Sequence, residues 1–379
     1  MVKCAMFSDR LKKLNPYKPG EQPKDRVYIK LNANENAYPP SAHVAEEVNK
    51  FLSEKNGRLG LYPDPDSTEL REAIAEHLNR TGGVLSVPEK AAARLTQKIT
   101  KDMIFCGNGS DEVLSFVFYA FFNADKPVIT PEFSYSFYPV YAGYYGITLK
   151  KVPLLSDFSL DTDTMLKNAG SSTGIIFANP NAPTGIALSC SDIKKMLDVW
   201  PADLPFVVDE AYADFGTESV IPLLAEYKNL VVVRTFSKSL SFAGMRMGYL
   251  VANPEVIQGV TTVKNSFNHF PADIICQTAA KAACLDVDYY ASTTQKTVAT
   301  RDRFRETLLK AGYKVLPSET NFVFARHPSL GGHEVYEKVK EAGILIRHFD
   351  TEGIRDFVRI TIGTDEQMDK LAAVMVSLA

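Results

Sequence analysis

Between residues 46 and 275, short apolar runs alternate with longer helical stretches, and few folds accommodate this order. The runs are continuous in Val, Ile and Phe, which is typical of strands that are buried on both faces of a parallel sheet. Six runs predict strands, at residues 103–106, 127–130, 174–178, 205–208, 230–233 and 247–251. Residues 111–122 and 191–200 have helical periodicity. The pattern predicts an α/β fold in which helices flank a mostly parallel sheet.

The chain of 379 residues is long enough for more than one domain, and its pattern changes after residue 275. Beyond that point, a long helical stretch at 288–311 is followed by short predicted strands and helices. Residues 1–45 are rich in Pro, Asn and Lys and contain turn signals. The predicted division is an N-terminal arm (1–45), a large domain (46–275) and a smaller α+β C-terminal domain (276–379).

Charge and cysteine content argue against several classes of partner. A net charge of −3 gives no electrostatic reason to expect nucleic acid or a membrane surface, and no apolar run approaches the ~20 residues that span a bilayer. The six histidines show no metal-ligand spacing, so no metal is expected. The five cysteines lack a C-x-x-C pair and predict free thiols in a reducing cytoplasm: Cys4, Cys106, Cys190, Cys276 and Cys284.

A lysine follows the predicted strand 230–233. Lys238 lies between Ser237 and Ser239, where an ammonium is costly to desolvate. Its position suits a Schiff-base nucleophile, because desolvation lowers the pKa of a lysine and frees its amine to attack an aldehyde. Arg246 and the Ser237 hydroxyl suit a phosphate. These residues predict an aldehyde cofactor that carries a phosphate, pyridoxal 5'-phosphate; the alternative is a lysine in a Ser-rich loop without a special role.

Other predicted strands also end in residues with site chemistry, and ligands of open α/β sheets bind beyond the carboxyl ends of the strands. Residues 107–112 combine two glycines with the start of a helix, which suits an anion, although a tight turn with a helix cap is the alternative. Asp209 closes the strand 205–208, where a buried carboxylate needs a cation such as a protonated ring nitrogen. The alternative for Asp209 is a cap of the next helix.

Two further residues and one segment fit a ring cofactor less specifically. Phe133, after the strand 127–130, could stack on a ring, although such aromatics are more often core residues. Tyr212 could donate a hydrogen bond to the phenolic oxygen of the ring. The segment 179–185, after the strand 174–178, could offer an amide to the same oxygen, or could form only a Pro-rich turn.

With these residues in view, the chain resembles the fold-type I pyridoxal-phosphate enzymes of the class I/II aminotransferase superfamily. Within it, the chain is most similar to the histidinol-phosphate aminotransferase family. The resemblance covers nearly the whole length, and its motifs lie at residues 31–36, 62–64, 107–112, 183–185, 209–212, 237–238 and 359–363.

The resemblance implies a role for each matching position. Lys238 would form the Schiff base and then move a proton between substrate and cofactor, while Asp209 would pair with the ring nitrogen and Tyr212 with the phenolic oxygen. Further cofactor contacts would come from Gly109, Ser110, Phe133, Asn181, Ser237 and Arg246. Tyr62 would reach the cofactor of a neighbouring subunit, which implies a homodimer.

The sequence departs from the superfamily pattern at two places. Ala182 stands where an asparagine usually precedes Pro-Thr-Gly, so the amide for the phenolic oxygen is assigned to Asn181, with Tyr212 alone as the alternative. His348 and Phe349 follow Arg347, where the family often continues with Asp-Arg.

Substrate binding would use Tyr17, Arg347 and Arg359. The implied activity is ping-pong transamination of a phosphorylated amine, L-histidinol phosphate, with the 2-oxoacid 2-oxoglutarate. The alternatives are an aromatic amino acid aminotransferase and a lyase similar to threonine-phosphate decarboxylase.

Overall fold

The computed structural model describes residues 6–17, 20, 21, 23–54 and 58–379. Within these residues the strands form three sheets of seven, four and two strands. The strands are β1 (Ile29–Lys30), β2 (Ile104–Asn108), β3 (Val128–Pro131), β4 (Leu149–Val152), β5 (Gly174–Ala178), β6 (Phe206–Asp209), β7 (Leu230–Thr235), β8 (Met247–Ala252), β9 (Lys314–Val315), β10 (Phe322–Arg326), β11 (Ile344–Leu345), β12 (Arg347–His348) and β13 (Phe357–Thr361).

The seven-stranded sheet has the order β2-β8-β7-β6-β5-β3-β4. Strand β8 is antiparallel to both of its neighbours, and the other strand pairs are parallel. The predicted mostly parallel sheet is therefore confirmed, and each of the six predicted strands is present. Strand β4 was not predicted, because two exposed lysines interrupt its apolar pattern at the edge of the sheet.

Helices cover both faces of this sheet. The helices of the described chain are α1 (Asp9–Lys13), α2 (Ala42–Glu54), α3 (Thr68–Thr81), α4 (Pro88–Ala92), α5 (Gly109–Phe121), α6 (Tyr138–Tyr145), α7 (Thr162–Lys167), α8 (Cys190–Val199), α9 (Pro254–Phe267), α10 (Ile274–Leu285), α11 (Val287–Lys310), α12 (Gly332–Glu341) and α13 (Asp365–Leu378). One face packs against α3, α8 and α10, and the other against α5, α6 and α9. None of the described helices has the length and apolar character needed to cross a membrane.

Strand β7 shows why continuous apolar runs predicted this sheet. Leu230 and Val232 point into one hydrophobic core, while Val231 and Val233 point into the other. All four side chains are buried, since side chains of a strand alternate between its two faces and both faces carry helices. The strand therefore shows no polar alternation.

The C-terminal sheet is antiparallel, with the order β12-β13-β10-β9, and packs with α11, α12 and α13 around a third core. Strands β11 and β12 lie one residue apart but belong to different sheets, because β11 pairs with β1 whereas β12 pairs with β13. In α11, Tyr290 belongs to a core of the large sheet and Phe304 to the C-terminal core. The domain boundary at residue 275 stays a prediction; these contacts favour a boundary within α11.

Gly248 in β8 allows the N-terminus of α5 to pack directly on the large sheet. A Cβ atom at residue 248 would overlap the backbone atoms of Gly109 and Ser110. Backbone atoms in the first turn of a helix cannot move aside as a flexible side chain can.

We therefore expect the Gly248→Ala substitution to lower the free energy of unfolding by about 1–3 kcal/mol, as overpacking of a dense interior does. Urea unfolding followed by circular dichroism measures this change. The matched control is Gly259→Ala on the exposed side of α9, where no described atom beyond the adjacent backbone of the helix lies within 4 Å of the added Cβ. It should be neutral or stabilising by up to about 1 kcal/mol. Equal stabilities of the two variants would contradict the close approach of α5 to β8.

Candidate active site

Two adjoining cavities open at the carboxyl ends of the parallel strands. The inner cavity, of about 220 Å³, is lined among others by Ser110, Asp209, Tyr212, Ser237, Lys238 and Arg246. The outer cavity, of about 250 Å³, is lined among others by Tyr17, Asn34, Tyr212, Lys238, Arg347 and Arg359. Lys238 and Tyr212 line both cavities and so lie where the two meet.

Asp209, the last residue of β6, is a buried carboxylate without a cation partner among the described residues. Its side chain is 4% exposed; Oδ2 accepts a hydrogen bond from the Tyr138 hydroxyl (2.8 Å) and Oδ1 from the Ala211 amide (3.2 Å). Burial raises the pKa of this carboxyl to about 6. It does not cap the short helix Ala213–Phe215 that follows, so the predicted need for a cation remains.

One end of the inner cavity is built for an anion. Helix α5 begins at Gly109, and the Arg246 guanidinium lies 2.6 Å from the position that a Cβ at Gly109 would occupy. Ser110, Ser237 and Arg246 line this part of the cavity. Arg246 Nη2 also pairs with Asp111 Oδ2 at 2.9 Å. Unpaired N–H groups of a helix start, two hydroxyls and a guanidinium together suit a phosphate.

Lys238 lies in the loop after β7, and its backbone is held while its amine is left available. The Lys238 carbonyl accepts a hydrogen bond from Asn36 Nδ2 (2.9 Å), and the next residue, Ser239, donates to Asp214 Oδ2 (2.5 Å). Its Nζ lies 5.6 Å from the centroid of the Tyr212 ring. Within the described chain, this ammonium has no carboxylate partner.

A buried ion network beneath the cavities was not predicted. The Arg234 guanidinium pairs with Glu210 (2.9 Å) and with Asp214 (3.0 Å). Glu210 directly follows Asp209, and Asp214 holds Ser239 beside Lys238. The available signal was a charged residue at the end of each of two apolar strands, because such residues need buried partners.

The structure places Phe133 outside the lining of the two cavities, and its expected ring contact stays a prediction. Its ring packs in a separate cluster with Leu316, Phe324 and Ile354 and lines neither cavity. Tyr135, two residues later, lines both cavities and donates a hydrogen bond to Asp111 Oδ1 (2.7 Å). The segment after β3 is irregular, so sequence spacing did not show which aromatic faces the cavities.

Asn181 likewise lies outside the lining of the two cavities, and its expected cofactor contact stays a prediction. Its amide nitrogen donates to the Phe133 carbonyl (2.9 Å) and its Oδ1 accepts from Ser134 Oγ (3.0 Å). Asn181 therefore fixes the segment after β3 and lines neither cavity, whereas the methyl group of Ala182 lines both. The Tyr212 hydroxyl remains at this wall and accepts a hydrogen bond from Asn34 Nδ2 (2.8 Å).

Two arginines face each other in the outer cavity. Arg347 on β12 and Arg359 on β13 are direct partners in the antiparallel register. Neither has a carboxylate partner in the described part of the chain, and Arg359 Nε is buried without a hydrogen bond. Burial, and to a lesser degree the charge of Arg347, lower the pKa of Arg359. Like charges placed opposite each other are destabilising, so this pair is suited to an anionic ligand.

Phe349 and Tyr17 complete the outer cavity. The guanidinium carbons of Arg347 and Arg359 lie 5.4 and 5.5 Å from the Phe349 ring centroid. Phe349 therefore shields both arginines at one of the positions where the sequence departs from the superfamily pattern. The Tyr17 ring packs on Phe137 at 5.3 Å between centroids and lines the same cavity.

Tyr62 does not reach either cavity within one chain. Its side chain is 81% exposed and stacks on Phe270 at 4.6 Å between ring centroids. It lines a separate cleft of about 670 Å³ beside α2 and α10.

The chain belongs to the class I and II aminotransferase family, whose model matches residues 26–375. It is 46% identical to the histidinol-phosphate aminotransferase of Syntrophus aciditrophicus (strain SB), over 97% of this chain and 96% of that protein. The corresponding protein of Clostridium acetobutylicum is 42% identical, over 96% of each chain. Among solved structures, histidinol-phosphate aminotransferase from Sinorhizobium meliloti in complex with pyridoxal-5'-phosphate matches with a TM-score of 0.83 and 25% identity, over 100% of this chain and 99% of that one.

The raised pKa of Asp209 predicts that the ligand-free protein loses stability as the pH rises from 3.8 to about 6. Its pKa is raised from 3.8 to about 6, so between these values the folded protein keeps a proton that the unfolded chain has released. Its contribution to stability is therefore lost as the pH rises through this range. Above pH 7 the Asp209→Asn variant should be more stable than the wild type by roughly 1–3 kcal/mol, and the difference should vanish near pH 4.

Urea unfolding at a series of pH values measures this difference. The control is Asp161→Asn at the N-cap of α7, where the carboxylate has a lowered pKa because it accepts hydrogen bonds from Thr164. That variant should gain no stability above pH 7, since asparagine caps a helix about as well as aspartate. A destabilised Asp209→Asn variant at pH 8 would contradict the absence of a cation partner.

Proposed function

We propose that this chain is a pyridoxal-phosphate-dependent aminotransferase that transfers the amino group of L-histidinol phosphate to 2-oxoglutarate. The observation that carries the proposal is the position of Lys238 between the inner and the outer cavity. Among the described residues, the Asp209 carboxylate of the inner cavity has no cation partner, and the two arginines of the outer cavity have no carboxylate partner. The identity of 46% to a histidinol-phosphate aminotransferase supports the choice of substrate.

The residues of the inner cavity fit pyridoxal phosphate. Asp209 would hold a proton on the ring nitrogen, which supplies the cation that its buried carboxylate lacks. Ser110, Ser237, Arg246 and the first amides of α5, at Gly109 and Ser110, would bind the phosphate. Tyr135 would take the ring contact that was expected of Phe133, and Tyr212 would donate to the phenolic oxygen. When bound, the cofactor supplies an aldehyde that condenses with amines and a ring that accepts electrons.

Lys238 would hold and move the proton of the reaction. Lys238 lines both the inner and the outer cavity, so its amine would take a proton from the substrate carbon and return one on the cofactor side. Asn36 holds the Lys238 carbonyl and Asp214 holds the next residue, Ser239, so the chain is fixed at and directly after Lys238 while its side chain stays free to move.

Arg347 and Arg359 would bind both substrates in turn. Histidinol phosphate brings a phosphate and 2-oxoglutarate brings carboxylates, and a guanidinium fork accepts either through paired hydrogen bonds. Tyr17 and Phe349 limit access of water from the open side, which strengthens these bonds.

We also propose a homodimer in the cytoplasm. Leu59, Leu61 and Tyr62 form an exposed apolar segment beside the cleft of α2 and α10, which is typical of an interface and would let Tyr62 reach the phosphate site of a second copy. The cytoplasm is proposed because the four described cysteines are free; Cys4 lies outside the described residues.

The substrate assignment predicts the effect of removing one guanidinium. The Arg359→Gln variant should raise the KM for both L-histidinol phosphate and 2-oxoglutarate by about 10- to 100-fold, because a charge-assisted hydrogen-bonded pair is lost. Steady-state kinetics with both substrates measure this. Arg326→Gln, at the exposed end of β10 in the same sheet, is the matched control and should leave both values unchanged.

A substrate panel on the wild-type enzyme decides between the proposed reaction and its alternatives. Absorbance of the bound cofactor should change on addition of L-histidinol phosphate and return on addition of 2-oxoglutarate. Turnover of L-phenylalanine without histidinol phosphate would indicate an aromatic aminotransferase. Release of carbon dioxide from threonine phosphate, without a 2-oxoacid, would indicate a lyase.

The homodimer predicts complementation between two variants. Lys238→Ala should be inactive, and Tyr62→Ala should bind pyridoxal phosphate more weakly. A mixed dimer contains one complete site, so co-refolding equal amounts at limiting cofactor should restore about a quarter of wild-type activity. The same mixing with Lys228→Ala in place of Tyr62→Ala tests for nonspecific effects, since Lys228 is an exposed loop residue that should not alter cofactor binding. No recovery above the Tyr62→Ala protein alone would contradict the shared site.

A further inference from the structure

Asn34 is a buried polar residue that lines the outer cavity together with Tyr212, Arg347 and Arg359. It is 1% exposed and adopts a left-handed backbone conformation, with φ of 53°. Its backbone N–H donates to Thr361 Oγ1 (2.9 Å), and its backbone carbonyl accepts from Asn321 Nδ2 (3.1 Å). Both partners belong to the C-terminal part of the chain, so the position of Asn34 is fixed from that side.

Thr361 determines which way the Asn34 side chain faces. The Thr361 oxygen already accepts the backbone hydrogen bond of Asn34, and its own proton is donated to Asn34 Oδ1 (3.2 Å). With Oδ1 held in this way, the side-chain nitrogen faces the Tyr212 hydroxyl at 2.8 Å. An amide nitrogen only donates, so the Tyr212 oxygen accepts this bond.

The Tyr212 proton is therefore directed elsewhere. Among the described residues, the hydrogen bond from Asn34 is the one that the Tyr212 hydroxyl makes, so its proton is available to a ligand of the cavities. The ring is held edge-on against Phe322, with 5.2 Å between centroids. Ala182 lies in the same small cluster and has no polar side-chain atom to offer.

We infer that Asn34 is a positioning residue: because it donates to the Tyr212 oxygen, it directs the Tyr212 proton towards the phenolic oxygen of the cofactor. Tyr212, positioned by Asn34, would thus provide the hydrogen bond that a side-chain amide at residue 182 would donate directly and that Ala182 cannot donate. The inference rests on the proposed function, because it requires pyridoxal phosphate in the inner cavity. A donor on the phenolic oxygen stabilises its negative charge, and the bond from Asn34 strengthens that donor through the chain of hydrogen bonds.

The Asn34→Asp substitution tests this direction. Aspartate tolerates the left-handed backbone, but its ionised carboxylate only accepts and would draw the Tyr212 proton away from the cofactor. In the cofactor-loaded enzyme, the pH midpoint of the visible absorbance change should rise by about one unit, because the phenolic oxygen then holds the neighbouring proton more strongly. Asn34→Gly removes the amide without adding charge, suits the same backbone, and should give a smaller rise in the same direction.

A double-mutant cycle separates this effect from the added negative charge. In a Tyr212→Phe background, Asn34→Asp should cause no further rise of the midpoint, since the hydroxyl it acts through is gone. The Ala182→Asn substitution, which places an amide at the cavity wall, should return the midpoint of the Asn34→Gly variant towards the wild-type value.

Three outcomes are informative in different ways. An unchanged midpoint in both Asn34 variants would overturn the inference, and so would an equal rise from Asn34→Asp with and without the Tyr212 hydroxyl. A wild-type protein that shows no visible absorbance with pyridoxal phosphate would overturn the proposed function instead. The wild-type titration therefore comes first.

Discussion

The buried guanidinium of Arg234 joins the two strand ends on which the candidate site is built. It pairs with Glu210, which follows β6, and with Asp214, which holds Ser239 in the loop after β7. Removing one partner from a buried ion pair leaves an uncompensated charge, which is far more costly than the loss of an exposed pair. Asp209 and Lys238 thus keep their separation because residues beside each of them share one cation.

The charged side chains of the candidate site have fewer partners of opposite charge among the described residues than the Arg234 network beneath them. Within the described residues, Asp209 is buried without a cation partner, while Arg347 and Arg359 lie opposite each other without a carboxylate partner. Each arrangement destabilises the ligand-free fold, and two continuous hydrophobic cores on either side of the sheet offset it. On the proposed function, a cofactor with a protonated ring and a substrate with an anionic group would remove these two penalties separately. Part of the affinity for both ligands would then come from charged side chains that have no partner of opposite charge among the described residues.

The sequence predicted the central sheet well because its strands are buried on both faces and differ sharply from the helices between them. It also indicated Asp209 and Lys238, since a charged residue after an apolar strand is unusual enough to demand a reason. Edge strand β4 was missed, because two exposed lysines interrupt its apolar pattern. The sequence also did not show that Tyr135 rather than Phe133 lines the cavities, or that the Asn181 side chain bonds to the segment after β3, because these contacts follow the path of irregular loops.

Asn34 lies within the motif at residues 31–36, but its role could not have been derived from the sequence, because its partners lie far away along the chain. Its hydrogen bond to Thr361 spans 327 positions, and β1 joins β11 across a similar interval. The segment that carries Asn34 can therefore reach its final place only when Thr361 is present. A chain truncated before β13 would lack both Arg359 and the anchor of Asn34.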